Sequence, residues 1–232
     1  MSLFKLAVLI SGTGSNLQAV IDAVSDGTIP NAKVEIVISS REGVYGLERA
    51  KNSGITNMVI NRHDTATLLK TLETHEINGI VLAGYLAVLP PDVIMAYSGK
   101  IVNIHPALLP MFGGKGFYGI RVHLAVVASG VDYTGASAHL VDCGIDTGAV
   151  LVRSVVPVLE DESPENLGKR VLGIEHIVLV KAVKALVENK TEELAKKPIT
   201  LINEEDREGV KRFAKGLTEL GKALTDADKG DL

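Results

Sequence analysis

The sequence predicts an α/β fold: an open, mostly parallel sheet with helices on both faces. Three observations lead there. Near-continuous Val/Ile runs suit strands buried on both faces. These runs alternate with amphipathic stretches in a β-α-β-α order, the pattern of a parallel, helix-covered sheet. Of the 232 residues, 46% are hydrophobic, ample for a buried core in one large α/β domain or two small ones.

Taken in order, Phe4–Ile10 is an apolar run that leads straight into the turn SGTGSN. It is short and has no small-residue cleavage site, so it predicts a buried first strand rather than a signal peptide. A helix is expected over Asn16–Val24, a strand over Val34–Ser39 and a helix over Tyr45–Ser53. A short strand over Asn57–Ile60, a helix over Asp64–His75 and a fourth strand over Ile80–Leu82 follow. Pro90 and Pro91 break the chain before a short helix at Val93–Ala96 and a fifth strand at Lys100–Ile104. After His105 comes the long Gly/Pro loop PALLPMFGGKGFYG, and long loops in compact domains usually carry function. A helix at Ile120–Ser129, strands at Ala136–Val141 and Ala149–Val156, and a long helix at Glu165–Glu188 complete a body of residues 1–190. Residues 191–232 read as a charged, helical extension in which Val210, Phe213, Leu217, Leu220 and Leu224 recur at spacings of three and four. That stripe packs on its own domain or forms a two-heptad seam of a homodimer.

Composition narrows the partners to small molecules. The formal net charge is −4, aromatic content is 4% and there is no Trp, which argues against a nucleic-acid partner. A single Cys excludes an internal disulfide and a Cys-rich zinc module, and fits the reducing cytoplasm. No run approaches the roughly 20 apolar residues of a membrane span.

Three constellations could carry chemistry. Ser11–Asn16 joins a strand to a helix, and glycines there let a ligand approach the backbone at a helix N-terminus, a natural anion site. The simpler alternative is a turn in which Ser15 or Asn16 caps the helix. A third Gly for a dinucleotide fingerprint is missing at Leu17, and no Gly-Lys-Ser/Thr ending is present. The turn therefore suits a monophosphate, or a dinucleotide by an unusual variant. Next, Asn103-Ile-His105-Pro106 ends the fifth strand, and period two puts Asn103 and His105 on one face at its carboxyl end, where open α/β sheets bind ligands. An amide donor beside an imidazole can polarise a carbonyl and shuttle a proton. Finally, His139 and the turn Asp142-Cys143-Gly144-Ile145-Asp146-Thr147-Gly148 set two carboxylates after a strand, either as an ordinary Asx-type turn or as partners for an imidazole. Cys143 has no evident activating base and reads as a loop wall.

The segments ISGTGSNLQAVIDA, LAGYLAVLP, IVNIHPALLP and SAHLVDCGIDTGAVL occur in that order. Together they closely resemble the phosphoribosylglycinamide formyltransferases, folate-dependent enzymes of purine synthesis, over about residues 4–190. The resemblance implies formyl transfer from 10-formyltetrahydrofolate, a co-substrate, to the amine of glycinamide ribonucleotide, with no metal. It implies catalytic roles for Asn103, His105 and Asp146, with Asp146 holding His105 charged. Thr13, Gly14, Ser15 and Asn16 would bind the substrate phosphate, and Glu175 the nucleotide. The folate would lie on Leu86, Ala87, Val88 and Leu89 and on the loop Asp142, Cys143, Gly144, Ile145 and Asp146. The chain departs from the family pattern at Leu86-Ala87, often Met-Arg, at Cys143, often Glu, and in the length of the loop carrying Lys115, Arg121 and His123. Arg62 is left unassigned.

Rival readings remain at this point. Methionyl-tRNA formyltransferases carry a further RNA-binding domain, for which the tail is too short and not basic. Formyltetrahydrofolate hydrolases carry an N-terminal regulatory domain, whereas here the first strand begins at Phe4. An NADP-dependent oxidoreductase could use Ser39-Ser40-Arg41, a metallohydrolase could use His105, His139 and Asp146, and a phosphate-sensing module would need only the first turn.

Overall fold

The computed structural model describes residues 3–212 and residue 215. From the N-terminus, β1 (Phe4–Ile10), α1 (Ser15–Ser25), β2 (Ala32–Ser39), α2 (Tyr45–Asn52), β3 (Thr56–Val59), α3 (Thr65–Thr74) and β4 (Gly79–Leu82) alternate strictly. They are followed by α4 (Pro91–Ala96), β5 (Ile101–His105), α5 (Ile120–Ser129), β6 (Tyr133–Leu140), β7 (Val150–Pro157), α6 (Pro164–Val187), α7 (Thr191–Lys196) and β8 (Ile199–Ile202). Local signals explain the helix starts. Asp64 accepts a hydrogen bond from the Thr67 amide ahead of α3. Ser163 accepts from the Asn166 amide ahead of α6, with Pro164 in the first helical position.

The described strands form one sheet in the order β3-β2-β1-β4-β5-β6-β7-β8. Pairings among β3, β2, β1, β4 and β5 are parallel, β6 is antiparallel to both neighbours, and β8 is parallel to β7. The chain reverses its direction of growth between β1 and β4, which opens a crevice at the carboxyl ends of those strands. Period two then divides the core. Leu6, Val8 and Ile10 of β1 pack with Leu17 and Val20 of α1 and with Val171, Val178 and Leu179 of α6. Ala7 and Leu9 point the other way, to Leu68 and Leu72 of α3 and Val93 of α4.

The elements predicted over residues 4–188 all appear, with ends displaced by three residues at most. The addition is β8, a strand inside the segment read as a charged extension, which α7 brings back to extend the sheet beside β7. Of the predicted apolar stripe, only Val210 lies among the described residues; Phe213, Leu217, Leu220 and Leu224 lie outside them. No helix among the described residues is long and apolar enough to cross a membrane.

The turn after β1 is held against α2 by a close backbone approach. Gly14 has φ +73°, and a Cβ there would stand 2.7 Å from the Gly46 Cα. The Gly46 amide also donates to the Gly12 carbonyl at 3.2 Å. Gly14→Ala should therefore be destabilised by about 1–2 kcal/mol from the left-handed backbone alone, before any displacement of α2. Gly12, exposed and with open space at its Cβ position, should accept Ala with a change within about 0.5 kcal/mol. Thermal unfolding of the two variants checks this, the first losing several degrees of Tm and the second nearly none.

Candidate active site

A cavity of about 540 Å³ opens at the carboxyl ends of β4 and β5, and the turn after β1 reaches it through Glu175. The phosphate-type turn lies on one side. Gly14 is the N-cap of its helix and offers no side-chain cap, so the simpler alternative of capping by Ser15 or Asn16 does not occur. The Asn16 amide donates instead to Glu175 Oε2 on α6 at 2.7 Å. The first-turn N–H groups of α1 are left without a side-chain acceptor, which suits an anion at that end. Arg49, a residue sequence reasoning missed, braces the turn from α2: its Nε donates to the Thr13 carbonyl at 2.9 Å and its guanidinium lies over the Tyr45 ring. The only advance signal was a cation one turn beyond Gly46. Ser11 links this turn to the next loop, since its hydroxyl accepts from the Leu86 amide at 2.9 Å and contacts Ser40 Oγ at 2.7 Å.

The floor of the cavity is built by β5 and β6. Their antiparallel register sets Asn103 opposite His139 and His105 opposite Ser137. Asn103 and His105 share a face, as period two required, and both line the cavity. The Asn103 amide nitrogen stands 3.0 Å from His139 Nε2 and 3.5 Å from Asp146 Oδ1. His139 Nδ1 faces the Leu140 carbonyl at 2.8 Å and must donate to it, so Nε2 presents a lone pair and accepts one amide hydrogen of Asn103. The second amide hydrogen is directed at Asp146 Oδ1, a 3.5 Å contact long enough to yield to a ligand oxygen. Asp146 is held in the left-handed region at φ 58° and receives the Gly114 amide at 3.0 Å on Oδ2. The turn that delivers it is pinned by Asp142, whose Oδ1 accepts from the Gly144 amide and the Thr147 hydroxyl, the Asx-type arrangement considered from sequence. Gly148 closes the turn, because a Cβ there would fall 1.8 Å from the Leu140 carbonyl oxygen.

His105 is 4% exposed. Its Nε2 donates to the Phe112 carbonyl at 2.8 Å, and Nδ1 lies 3.5 Å from Asp146 Oδ2, longer than a good hydrogen bond. Burial pushes the imidazole pKa below its ordinary value, and the Asp146 charge recovers only part of that. The expectation that Asp146 keeps His105 charged is thus corrected: desolvation outweighs the ion-pair attraction in the resting site. Asp146 itself lies below the usual carboxylate range, since burial would raise it but the His139 side chain, the His105 ring and the Gly114 amide together do more. Glu175 is the opposite case. Burial in the apolar stripe of α6 pushes its carboxyl up to about 7, and the hydrogen bond from Asn16 offsets only part of that.

Leu86, Ala87, Val88 and Leu89 line a third wall of the cavity, with Leu86 and Val88 exposed and Leu89 buried. Asp142, Gly144, Ile145 and Asp146 line it from the other loop, and Glu175 from α6. Thr13, Gly14, Ser15 and Asn16 do not line this cavity and reach it through the Asn16–Glu175 bond. Cys143 is exposed and also outside it. Lys115 and His123 line the cavity, Arg121 stacks on Tyr118, and Arg62 donates to its neighbour His63 away from the site. The rival features fare less well. Ser39 is engaged with the backbone of Arg41 inside its own turn, and among the described residues no group of three His, Cys, Asp or Glu side chains is placed to hold a metal ion.

The matches to known proteins agree with this fold. The family model for formyl transferase matches residues 4–183. A chloroplastic phosphoribosylglycinamide formyltransferase of Arabidopsis thaliana is 39% identical over 80% of this chain, which spans 66% of that relative's length. The phosphoribosylglycinamide formyltransferase of Haemophilus influenzae is 35% identical over 80% of this chain and 88% of its own. The crystal structure of glycinamide ribonucleotide transformylase 1 from Symbiobacterium toebii superposes with a TM-score of 0.75 at 33% identity, over 81% of this chain and 89% of that one. With its open sheet, its paired carboxamide and imidazole, and its matched span, this chain belongs to the formyl transferase family.

Proposed function

We propose that this protein transfers the formyl group of 10-formyltetrahydrofolate to the amine of 5-phosphoribosylglycinamide, giving N-formylglycinamide ribonucleotide and tetrahydrofolate in purine synthesis. One observation carries the reading. Asn103, His105 and Asp146 converge at the floor of a cavity with an apolar wall at Leu86–Leu89 and a far wall, Glu175, tied to the anion-type turn. The apolar wall suits a flat pterin. The Thr13–Asn16 turn suits the phosphate, and Glu175 the ribosyl part of the nucleotide. The single Cys is unpaired and exposed, in keeping with the cytoplasm.

The residues act in sequence. Asp146, held ionised, receives the proton that the amine loses on attack, directly or through one water. The Asn103 amide hydrogen that rests on Asp146 at 3.5 Å turns to the formyl oxygen, where negative charge collects as the amine adds. His105, neutral at rest, takes the proton at Nδ1 beside Asp146 and so becomes positive only when that oxygen becomes negative. It then hands the proton to the departing folate nitrogen. Burial serves this step, because a ring with a depressed pKa gives up its proton readily.

His105→Ala should lower kcat by about 10²–10³-fold, the usual cost of one donor at a developing oxyanion, while both KM values change far less. Steady-state kinetics with tetrahydrofolate followed by absorbance measures this. The same assay, run with the nucleotide supplied or withheld, separates transfer from hydrolysis: product without the amine would mark a hydrolase. Glu175 gives a pH prediction. Its folded pKa of about 7 exceeds the ordinary 4.5, so its contribution to stability is complete below pH 4.5 and lost as pH rises to about 7. Denaturant unfolding of the wild type minus Glu175→Gln should therefore show a relative loss on the order of 3 kcal/mol across that window, and a flat difference would refute the buried, protonated carboxyl.

A further inference from the structure

The cavity wall formed by α5 and α6 holds an imidazole that the chemistry above does not use. His123 is 6% exposed and sits on the buried face of α5 with Val122 and Val126, yet its ring lines the cavity. Its Nδ1 is sealed from solvent and has no hydrogen-bond partner. Buried polar atoms are nearly always satisfied, so an orphan in a ligand cavity points to a missing partner or to a ring whose working atom is the other nitrogen. A neutral imidazole carries one proton, and no acceptor lies at Nδ1 to receive it. The proton therefore belongs on Nε2. That edge of the ring faces Gly168 of α6, where a Cβ would stand 3.0 Å from Cδ2 and 3.3 Å from Nε2, and Gly168 is itself a cavity wall. The glycine leaves the edge uncovered.

We propose that His123 binds substrate, its Nε2–H donating to an uncharged oxygen of glycinamide ribonucleotide between the phosphate and the reacting amine. This rests on the function proposed above. The position supports that stretch of the ligand: Gly168, Leu172 and Glu175 form one face of α6 along the cavity, Glu175 is bonded to Asn16 of the phosphate-type turn, and the charge of a protonated His105 is felt at the His123 ring. The ring thus shares a cavity wall with Glu175, which is tied to the phosphate-type turn, and lies within electrostatic reach of His105 at the reacting end. Burial and that neighbouring charge hold its pKa below the ordinary histidine value, so it is an uncharged donor, matched to a hydroxyl or amide oxygen rather than to a phosphate.

Calorimetric titration of the full chain tests this with two ligands separately, glycinamide ribonucleotide and 10-formyl-5,8-dideazafolate. His123→Leu should raise the nucleotide Kd about five- to tenfold, the worth of one hydrogen bond, and leave the folate analogue's Kd unchanged. His123→Gln, whose amide nitrogen reaches the position of Nε2, should restore most of the affinity. His123→Asn, which is polar but too short, should not, and it substitutes for the Leu variant should that fail to fold. Nucleotide affinity that is unaltered in the Leu and Asn variants overturns the proposal, as does equal weakening of both ligands without rescue by Gln, which would mark a packing role. A wild-type chain that binds the folate analogue but no glycinamide ribonucleotide would instead overturn the proposed substrate, and this contact with it.

Discussion

The antiparallel register between β5 and β6 is the constraint on which the site depends. In a ladder of this kind the residues directly opposite each other stand within side-chain reach. That pairing sets the Asn103 carboxamide against the His139 imidazole and the His105 backbone against Ser137. Ser137 then accepts from the Leu109 amide and donates to the Ala107 carbonyl, which fixes the chain as it leaves His105. A slip of one residue would send His139 and Ser137 to the opposite face and leave the amide of Asn103 unaimed. Because β6 continues into the Asp142–Gly148 turn, the same register also sets where Asp146 arrives.

The site contains two buried carboxyl groups held in opposite states by their surroundings. Asp146 sits among two imidazoles and a backbone N–H, and these interactions outweigh the cost of burying its charge. Glu175 sits in an apolar helix stripe with a single amide donor, and there burial dominates. A site that must both accept a proton and receive a nucleotide without repelling its phosphate gains from such a division. His105 completes the set, since its burial makes a proton on it transient and hence transferable.

The fold brings these groups together through its switch point. Parallel strands β1, β4 and β5 all end on the same edge, so three loops distant in sequence open onto one crevice. Helix α6, of 24 residues, runs behind them and packs on α1, α5 and the sheet. It contributes Gly168, Leu172 and Glu175 to the cavity and ties the anion-type turn to the reacting centre through the Asn16 bond.

The sequence by itself determined the order and type of the elements, because hydrophobic periodicity and turn residues are local properties. Strand β1 was legible to the residue, and Asn103 and His105 were legible as partners on one face, since period two needs no tertiary information. The short β8 was not, because a four-residue strand at a sheet edge draws its stability from a neighbour 40 or more residues away. Nor could the sequence reveal that Asn16 reaches Glu175 rather than capping its helix, that Arg49 braces Thr13, or that His123 has a sealed, unpartnered nitrogen. Each depends on which residues, far apart along the chain, the fold brings together. The protonation states were decided at the same level: burial, which exists only once the helices close on the sheet, makes His105 neutral and Glu175 an acid near pH 7.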